Sequence, residues 1–227
     1  MKLALPFDPR FMNQEMSKNL SKTDMKPTTR RTQLQRTELS DQLMLDAAQE
    51  LILEVGTART TLKEIGERAG YSRGLANARF GSREVLFIRL ANRSRRQWLA
   101  TLSQAQGQKT GLAALESRLD AILDYLERHP NEARVMYILW FEAVGAPSEI
   151  NSSLSRFHKQ AREDILQLVQ EAGLIPSGAD DGWGHRYAAR FVGVIFGLCY
   201  QWLVNPDAVD FNKHMAELKA ELHEARN

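Results

Sequence analysis

The stretch TTLKEIGERAGYSRG, residues 60–74, decides the fold. Thr61 and Glu64 have the spacing of a capping box, in which each side chain bonds the other residue's backbone N–H at a helix start. Gly70 ends this first short helix, and Ser72 is the N-cap candidate of a second one. Two short helices joined by a tight turn that contains Gly are typical of a helix-turn-helix.

Helical periodicity extends from this stretch in both directions. Upstream, Leu43, Ala47 and Leu51 recur at four-residue spacing, which predicts a helix from about Ser40 to Gly56. The second short helix runs to about residue 80, and further helices are predicted at 82–106, 111–129, 131–144, 148–173, 183–204 and 207–225. There is no convincing strand alternation and no internal repeat, so the sequence predicts an all-α protein.

Size and composition restrict the class of protein. The chain has 227 residues, 43% of them hydrophobic and 26% charged, which suits a soluble protein of one large or two small domains. The single Cys excludes an intrachain disulfide, and no Cys/His pair has zinc spacing, so we predict no metal, no cofactor and a cytoplasmic location. The first residues do not form a signal peptide, and the apolar stretch 191–204 is shorter than a membrane span.

Charge is distributed unevenly along the chain. Residues 1–36 carry eight Lys/Arg against three Asp/Glu, whereas residues 106–227 carry twelve against seventeen. A basic front is expected of a protein that binds phosphates, although chance asymmetry is the alternative. Residues 1–35 are interpreted as a flexible basic tail. An arm that touches DNA, a merely solvated tail and an overlong start remain open alternatives for it.

The order of residues around the predicted turn resembles a family signature. The matching positions are Thr60-Thr61-Leu62, Ile65-Gly66, Ala69 to Gly74, Phe80 and Ser82 to Leu86. Over about residues 36–90 they resemble the N-terminal domain of tetracycline-repressor-like (TetR family) transcription factors. The resemblance implies a three-helix helix-turn-helix DNA-binding domain at 36–86. It also implies a C-terminal helical ligand-binding and dimerisation domain at 87–227.

The second short helix departs from the family pattern. Ala76-Asn77 and Arg79 stand where the family commonly has a Leu-Tyr pair and a second aromatic residue. Asn77 can pair bidentately with adenine, and Arg79 can hold guanine or a phosphate. The contacts with DNA are therefore expected to be this protein's own.

The DNA-contact candidates follow from these roles. They are Thr61, Lys63, Tyr71, Ser72, Arg73, Leu75, Asn77, Arg79 and Arg83. Arg73, Leu75 and Asn77 are the base-reading candidates, whereas the others are expected at phosphates or at helix N-termini, where backbone amides bind phosphate. The alternatives are plain helix capping for Thr61 and Ser72, and ordinary solvated charges for Lys63 and Arg83.

The C-terminal half carries weaker signals. Aromatic and polar residues on separate helices are the ligand-binding candidates: Tyr137, Trp140, Phe141, His158, Phe196 and Tyr200. Ordinary core packing is the alternative for each of them. The resemblance places a dimer interface on about residues 183–225, with contributions from Phe191, Val194, Ile195, Leu198, Met215 and Leu218. A cluster of Arg93, Arg95 and Arg96 is expected to be solvated or salt-bridged.

These observations predict a ligand-responsive DNA-binding regulator. The expected protein is a homodimeric repressor that leaves a palindromic double-stranded operator when a small hydrophobic effector binds. Activation instead of repression is an open alternative. No catalytic constellation is recognisable, so we predict that the protein is not an enzyme. An all-α enzyme or small-molecule carrier, and an architectural DNA binder without ligand control, are the rival interpretations.

Overall fold

α-Helices dominate the computed structural model, which describes residues 32–145 and 147–226. They are α1 (Gln33–Val55), α2 (Leu62–Arg68), α3 (Arg73–Phe80), α4 (Arg83–Gln106), α5 (Gly111–Arg128), α6 (Pro130–Val144), α7 (Glu149–Glu171), α8 (Trp183–Val204) and α9 (Phe211–Glu224). Single 3-10 turns cover Thr57–Arg59 and Pro206–Ala208. No strand occurs in the described ranges, and the predicted all-α class is confirmed. Most of the predicted tail, residues 1–31, lies outside the described residues.

The first helix begins earlier than its apolar pattern indicated, at Gln33 instead of about Ser40. Thr32 and Gln35 cap this end reciprocally. The Thr32 N–H donates to the Gln35 side-chain oxygen at 2.9 Å, and the Gln35 N–H donates to the Thr32 hydroxyl at 3.2 Å. Residues 33–36 are exposed, so no buried stripe marks this turn in the sequence.

The turn between α2 and α3 is built by the residues that predicted it. The Thr61 hydroxyl accepts the Glu64 N–H at 3.2 Å, and the Glu64 carboxylate accepts the Thr61 N–H at 3.1 Å. Gly70 follows with a φ of 77°, in the left-handed region that favours glycine. The Ser72 hydroxyl then accepts the Leu75 N–H at 3.2 Å, which caps α3. The helix-turn-helix is therefore fixed locally at both helix starts.

Two hydrophobic clusters form the interior. We call the first the head cluster; it joins α1, α2, α3 and the start of α4, and includes Met44, Ile52, Ile65, Phe80 and Leu86. We call the second the body cluster; it joins α5, α7, α8 and α9, and includes Leu119, Tyr125, Phe157, Ile195 and Met215. Both clusters belong to one compact unit that starts at Glu38.

Two helices contribute buried residues to both clusters. In α6, Val135 and Leu139 pack in the head cluster, whereas Met136 packs in the body cluster. In α4, Leu90 belongs to the head cluster and Trp98 to the body cluster. A displacement of either helix would therefore change the packing of both clusters, because packed cores do not deform freely.

Helix α8 is the one helix within the described ranges that is long and apolar enough to cross a membrane, by length and composition alone. Its Phe191, Ile195 and Cys199 are buried in the body cluster. A different side of the helix is uncovered. Around Gly193 and Gly197, the position of an added Cβ atom meets no other atom within 4 Å.

Candidate nucleic-acid interface and ligand cavity

The outward side of α3 is small and polar. Arg73 and Asn77 lie one helical turn apart, and both side chains are exposed. Gly74 and Ala78 lie beside them and are exposed as well. Because these neighbours are so short, a flat surface can approach the backbone closely while the two longer side chains reach forward. This shape suits entry into a major groove.

The predicted contacts around that face divide by exposure. Leu75 and Tyr71 are half-buried and pack against the head cluster. Lys63 is exposed, with its ammonium 3.9 Å from the Glu67 carboxylate one turn later, a weak surface pair. Thr61 and Ser72 cap α2 and α3, so the capping alternative is present in the structure.

Arg79 and Arg83 are engaged inside the molecule. The Arg79 guanidinium lies 3.2 Å from the Asp41 carboxylate and ties α3 to α1. Arg83 donates to the carbonyl oxygens of Thr57 at 3.1 Å and Ala58 at 3.3 Å, which ties α4 to the turn after α1. The structure therefore groups Arg73 and Asn77 on the outward face and uses the other two arginines to hold the helices together.

A cavity of about 290 Å³ opens between α4, α5, α7 and α8. Its walls are mainly apolar, with Trp98, Leu119 and Phe191 among them. Its polar side chains are Arg95, Arg118, Arg156, Gln160 and Asp164. An apolar chamber with a few convergent polar groups is the usual form of a small-molecule site, and this volume is close to the lower end of the usual range.

The predicted ligand-binding residues do come together, but as a packed aromatic cluster beside this cavity. The ring centroids of Phe141 and Tyr200 are 5.1 Å apart, and those of His158 and Phe196 are 5.0 Å apart. Of the predicted set of six, only Phe196 lines the cavity. Tyr137 and Trp140 are buried, as in the core-packing alternative that the sequence left open, whereas Phe141 is 56% exposed and Tyr200 43% exposed.

The members of the aromatic cluster are largely satisfied by the protein itself. The Tyr137 hydroxyl donates to the Phe196 carbonyl oxygen at 2.8 Å, and burial raises the pKa of Tyr137 above its usual range. Trp140 is buried between Tyr137 and Phe157. Burial, together with nearby Arg162, lowers the pKa of His158, which favours its neutral form. This cluster therefore packs beside the cavity, and other residues form most of the cavity lining.

The predicted dimer-interface residues also divide by burial. Phe191, Ile195, Met215 and Leu218 are buried inside the body cluster of a single chain. Val194 is 45% exposed, and Leu198 is half-buried. The surface of α8 that is open to a second copy is thus the side of Val194, Gly193 and Gly197, because the first four side chains have little surface left to bury.

The charged residues of the cavity were missed by sequence reasoning. The three neighbouring arginines of α4 lie in different environments. Arg93 pairs with Asp46 at 2.6 Å, Arg96 is exposed, and Arg95 lines the cavity. One signal was present in the sequence. Arg95 lies three residues before Trp98, on the apolar stripe of a long helix, where a charged residue needs a special reason.

We call the part of the chain around the head cluster the head and the part around the body cluster the body. Comparison with known proteins identifies the head. Residues 44–90 match the family model described as bacterial regulatory proteins, tetR family. This range starts in α1, contains all of α2 and α3, and ends in α4. Residues 44–90 therefore form a DNA-binding head of the tetR type. The resemblance noted in the sequence is confirmed, and the TetR-type head accounts for the outward face of α3 as part of a DNA-binding domain.

Similarity to known proteins extends beyond the head. The HTH-type transcriptional regulator TtgR of Pseudomonas putida is 24% identical over 193 residues, and the match covers 80% of this chain and 88% of TtgR. The structure of NalD, the secondary repressor of the MexAB-OprM multidrug efflux pump in Pseudomonas aeruginosa, has a TM-score of 0.64 at 23% identity. That match covers 84% of this chain and 96% of NalD.

A second solved structure shows that the fold is shared at low sequence identity. The fatty acid degradation regulator FadR from Bacillus halodurans has a TM-score of 0.65 at only 17% identity, covering 81% of this chain and 94% of FadR. The shared coverage includes both the head and the body. The two-part helical architecture is therefore the common feature of these proteins, and it persists where few residues are identical.

Proposed function

We propose that this protein is a ligand-responsive transcriptional repressor that binds an operator through α3 and releases it when a small molecule occupies the cavity. The observation that carries the proposal is the outward pair Arg73 and Asn77 on a helix that is capped and propped from behind. Side chains of these two types read guanine and adenine edges. The proposed setting is the cytoplasm, where operator DNA is accessible.

The proposed operator is palindromic and the proposed assembly is a homodimer. A single helix of this length reads only a few base pairs, and a two-fold dimer doubles the site with half-sites about one helical turn apart. The exposed side of α8 supports this, because Gly193 and Gly197 allow another helix to come close. NalD, and likewise SmeT of Stenotrophomonas maltophilia, are described as repressors of multidrug efflux pumps, which favours repression over activation.

Release of DNA is proposed to follow from a two-state equilibrium. An effector that binds one arrangement of the body better shifts the population toward it, and DNA affinity falls by that difference in affinity. The proposed division into a DNA-binding domain, 36–86, and a ligand-binding and dimerisation domain, 87–227, falls inside α4. The two functions thus share a continuous helix.

Selection of bound sequences from random double-stranded DNA, repeated with a library of small molecules, tests the repressor proposal directly. The expected result is a palindrome with two half-sites and loss of binding with at least one molecule. Enrichment that no molecule alters supports the architectural rival. A protein that enriches no sequence but binds or converts small molecules supports the carrier or enzyme rival.

The homodimer is tested by sedimentation at micromolar concentration. Wild type is expected to be a dimer. Val194→Asp introduces a charge on the open side of α8 and is expected to give monomers with much weaker binding to a full palindrome. The control is Ala113→Asp on the exposed side of α5, which should remain dimeric. A wild-type protein that sediments as a stable monomer contradicts the proposed assembly.

A further inference from the structure

The cavity carries an excess of positive charge. Three arginines, Arg95, Arg118 and Arg156, line it against a single acidic side chain, Asp164. Guanidinium groups are costly to enclose with apolar walls, and they are normally retained there because something pairs with them. The question is which of the three already has its partner.

Arg118 has its hydrogen-bond and ion-pair partners within the protein. Its Nε donates to the Gln106 side-chain oxygen at 2.8 Å, and its Nη1 lies 3.8 Å from the Asp164 carboxylate. Asp164 also accepts a hydrogen bond from Gln160 at 2.7 Å. Burial lowers the pKa of Arg118 while Asp164 opposes that shift. The Asp164 carboxylate is therefore already shared by Arg118 and Gln160.

Arg95 has no comparable partners among the described residues. Its Nε is buried and has no hydrogen-bond partner within the described part of the chain. Arg156 lies on the exposed rim of the same cavity, and no acidic group of the described residues pairs with either arginine. A buried donor left unmet costs about 1–3 kcal/mol, and more when it is charged, so this position is suited to an acceptor that arrives with a ligand.

We infer that the effector is a small amphipathic anion, with a carboxylate held by Arg95 and Arg156 and an apolar body enclosed by Trp98, Phe191 and Ile195. The inference rests on the proposed function and sharpens its hydrophobic effector. Guanidinium and carboxylate match as planar, charge-assisted pairs, and the remaining walls offer only apolar contact. A neutral molecule of the same size would offer Arg95 at best an uncharged acceptor, which makes a weaker hydrogen bond than a carboxylate.

The first test compares two probes of equal chain length, one with an anionic carboxylate and one with a neutral hydroxyl group. Decanoate and 1-decanol are titrated below their aggregation limits into the full-length protein without DNA, and Trp fluorescence or calorimetry gives each Kd. Decanoate is expected to bind at least about tenfold more tightly, as a charged hydrogen bond implies, and the gap should narrow with added salt. Equal or tighter binding of 1-decanol overturns the inference.

Matched variants locate the charge. Arg95→Gln is expected to lose about tenfold in decanoate affinity and to leave 1-decanol unchanged. Arg96→Gln removes the same charge from the adjacent exposed position and should change neither Kd. Asp164→Asn removes the competing carboxylate and should tighten decanoate binding severalfold. Arg95→Gln and Asp164→Asn are thus expected to change decanoate affinity in opposite directions. If Arg95→Gln leaves decanoate binding intact, or weakens both probes equally, the anion site is not there.

These measurements separate the two proposals because none of them involves DNA. If decanoate binds as described but selection recovers no DNA sequence, the repressor proposal fails and the ligand class stands. If an operator is recovered and a neutral molecule releases it, while the protein binds decanoate no more tightly than 1-decanol, the ligand class fails and the repressor proposal stands.

Discussion

Asn77 is the side chain of α3 with the clearest capacity to read a base. It is exposed, one turn after Arg73, and an amide pairs with adenine through two hydrogen bonds. We expect Asn77→Ala to weaken binding to the selected operator by about 1–3 kcal/mol and to relax sequence preference. A gel shift at fixed salt with operator and scrambled DNA measures both effects. Asn212→Ala on α9 is the control, and operator binding by Asn77→Ala equal to wild type contradicts the role.

The arginines of α3 are expected to separate DNA binding from stability. Arg79 pairs with Asp41, and both side chains are about three-quarters enclosed, so Arg79→Ala should lower the free energy of unfolding by about 1 kcal/mol. Arg73 is exposed on the outward side, so Arg73→Ala should leave stability within about 0.5 kcal/mol and weaken DNA binding. Urea unfolding and gel shifts on both variants check the pattern. The reverse pattern would mean that Arg79 faces the DNA.

Single residues were predictable where the chemistry is local. The caps Thr61 and Ser72 follow from side-chain chemistry within four residues, and the structure has both. Arg95 and Asp164 were not recognisable, because their meeting in one cavity depends on how α4 and α7 pack across more than sixty intervening residues. The same holds for Arg79, whose partner Asp41 lies on α1.

At the scale of elements, the contact between α2 and α3 depends on Gly66. A Cβ atom there would lie 3.0 Å from the backbone oxygen of Ser72, and backbone cannot rotate out of the way. Gly66→Ala is expected to cost about 1–3 kcal/mol through overpacking. Gly74→Ala, whose added atom has its nearest neighbour at 3.8 Å, should be neutral or gain up to about 1 kcal/mol in helix propensity. Urea denaturation compares them, and equal stability would rule out the steric account.

Helix ends show where elements could and could not be predicted. The apolar stripe predicted the ends of α4 at 106 and α8 at 204, because these helices bury one side along most of their length. It missed the start of α1, where exposed residues follow the Thr32 cap. It also placed α9 too early, because Pro206–Ala208 form a 3-10 turn before Asp210 caps the helix at Phe211. Buried sides are visible in a sequence, whereas exposed turns depend on caps alone.

At the scale of the whole molecule, the head and the body are linked by the turn Thr57–Arg59 as well as by shared helices. Arg83 donates to the Thr57 carbonyl oxygen, which connects the turn to α4. The Thr57 hydroxyl donates to the Glu142 carboxylate, which connects it to α6. Because α6 also packs in the body cluster through Met136, a rearrangement around the cavity can be transmitted to the head along this route.

Glu142→Ala tests that route. Removing the carboxylate breaks the hydrogen bond between α6 and the turn. Operator binding and effector binding should each persist, but each should influence the other less. We expect the ratio of operator affinities without and with effector to fall toward one, a change of about 0.5–2 kcal/mol in coupling free energy. The ratio is measured by gel shift with any effector that releases wild type.

Glu163→Ala is the matched control for this experiment. Glu163 is an exposed glutamate on α7 whose ion-pair partner, Lys159 at 3.7 Å, lies on the same helix, so its loss should leave the ratio unchanged. By reciprocity, the operator should also weaken effector binding less in Glu142→Ala than in wild type, since coupling acts equally in both directions. A wild-type ratio in Glu142→Ala would assign the coupling to the packed faces of α4 and α6 instead of to the polar contact.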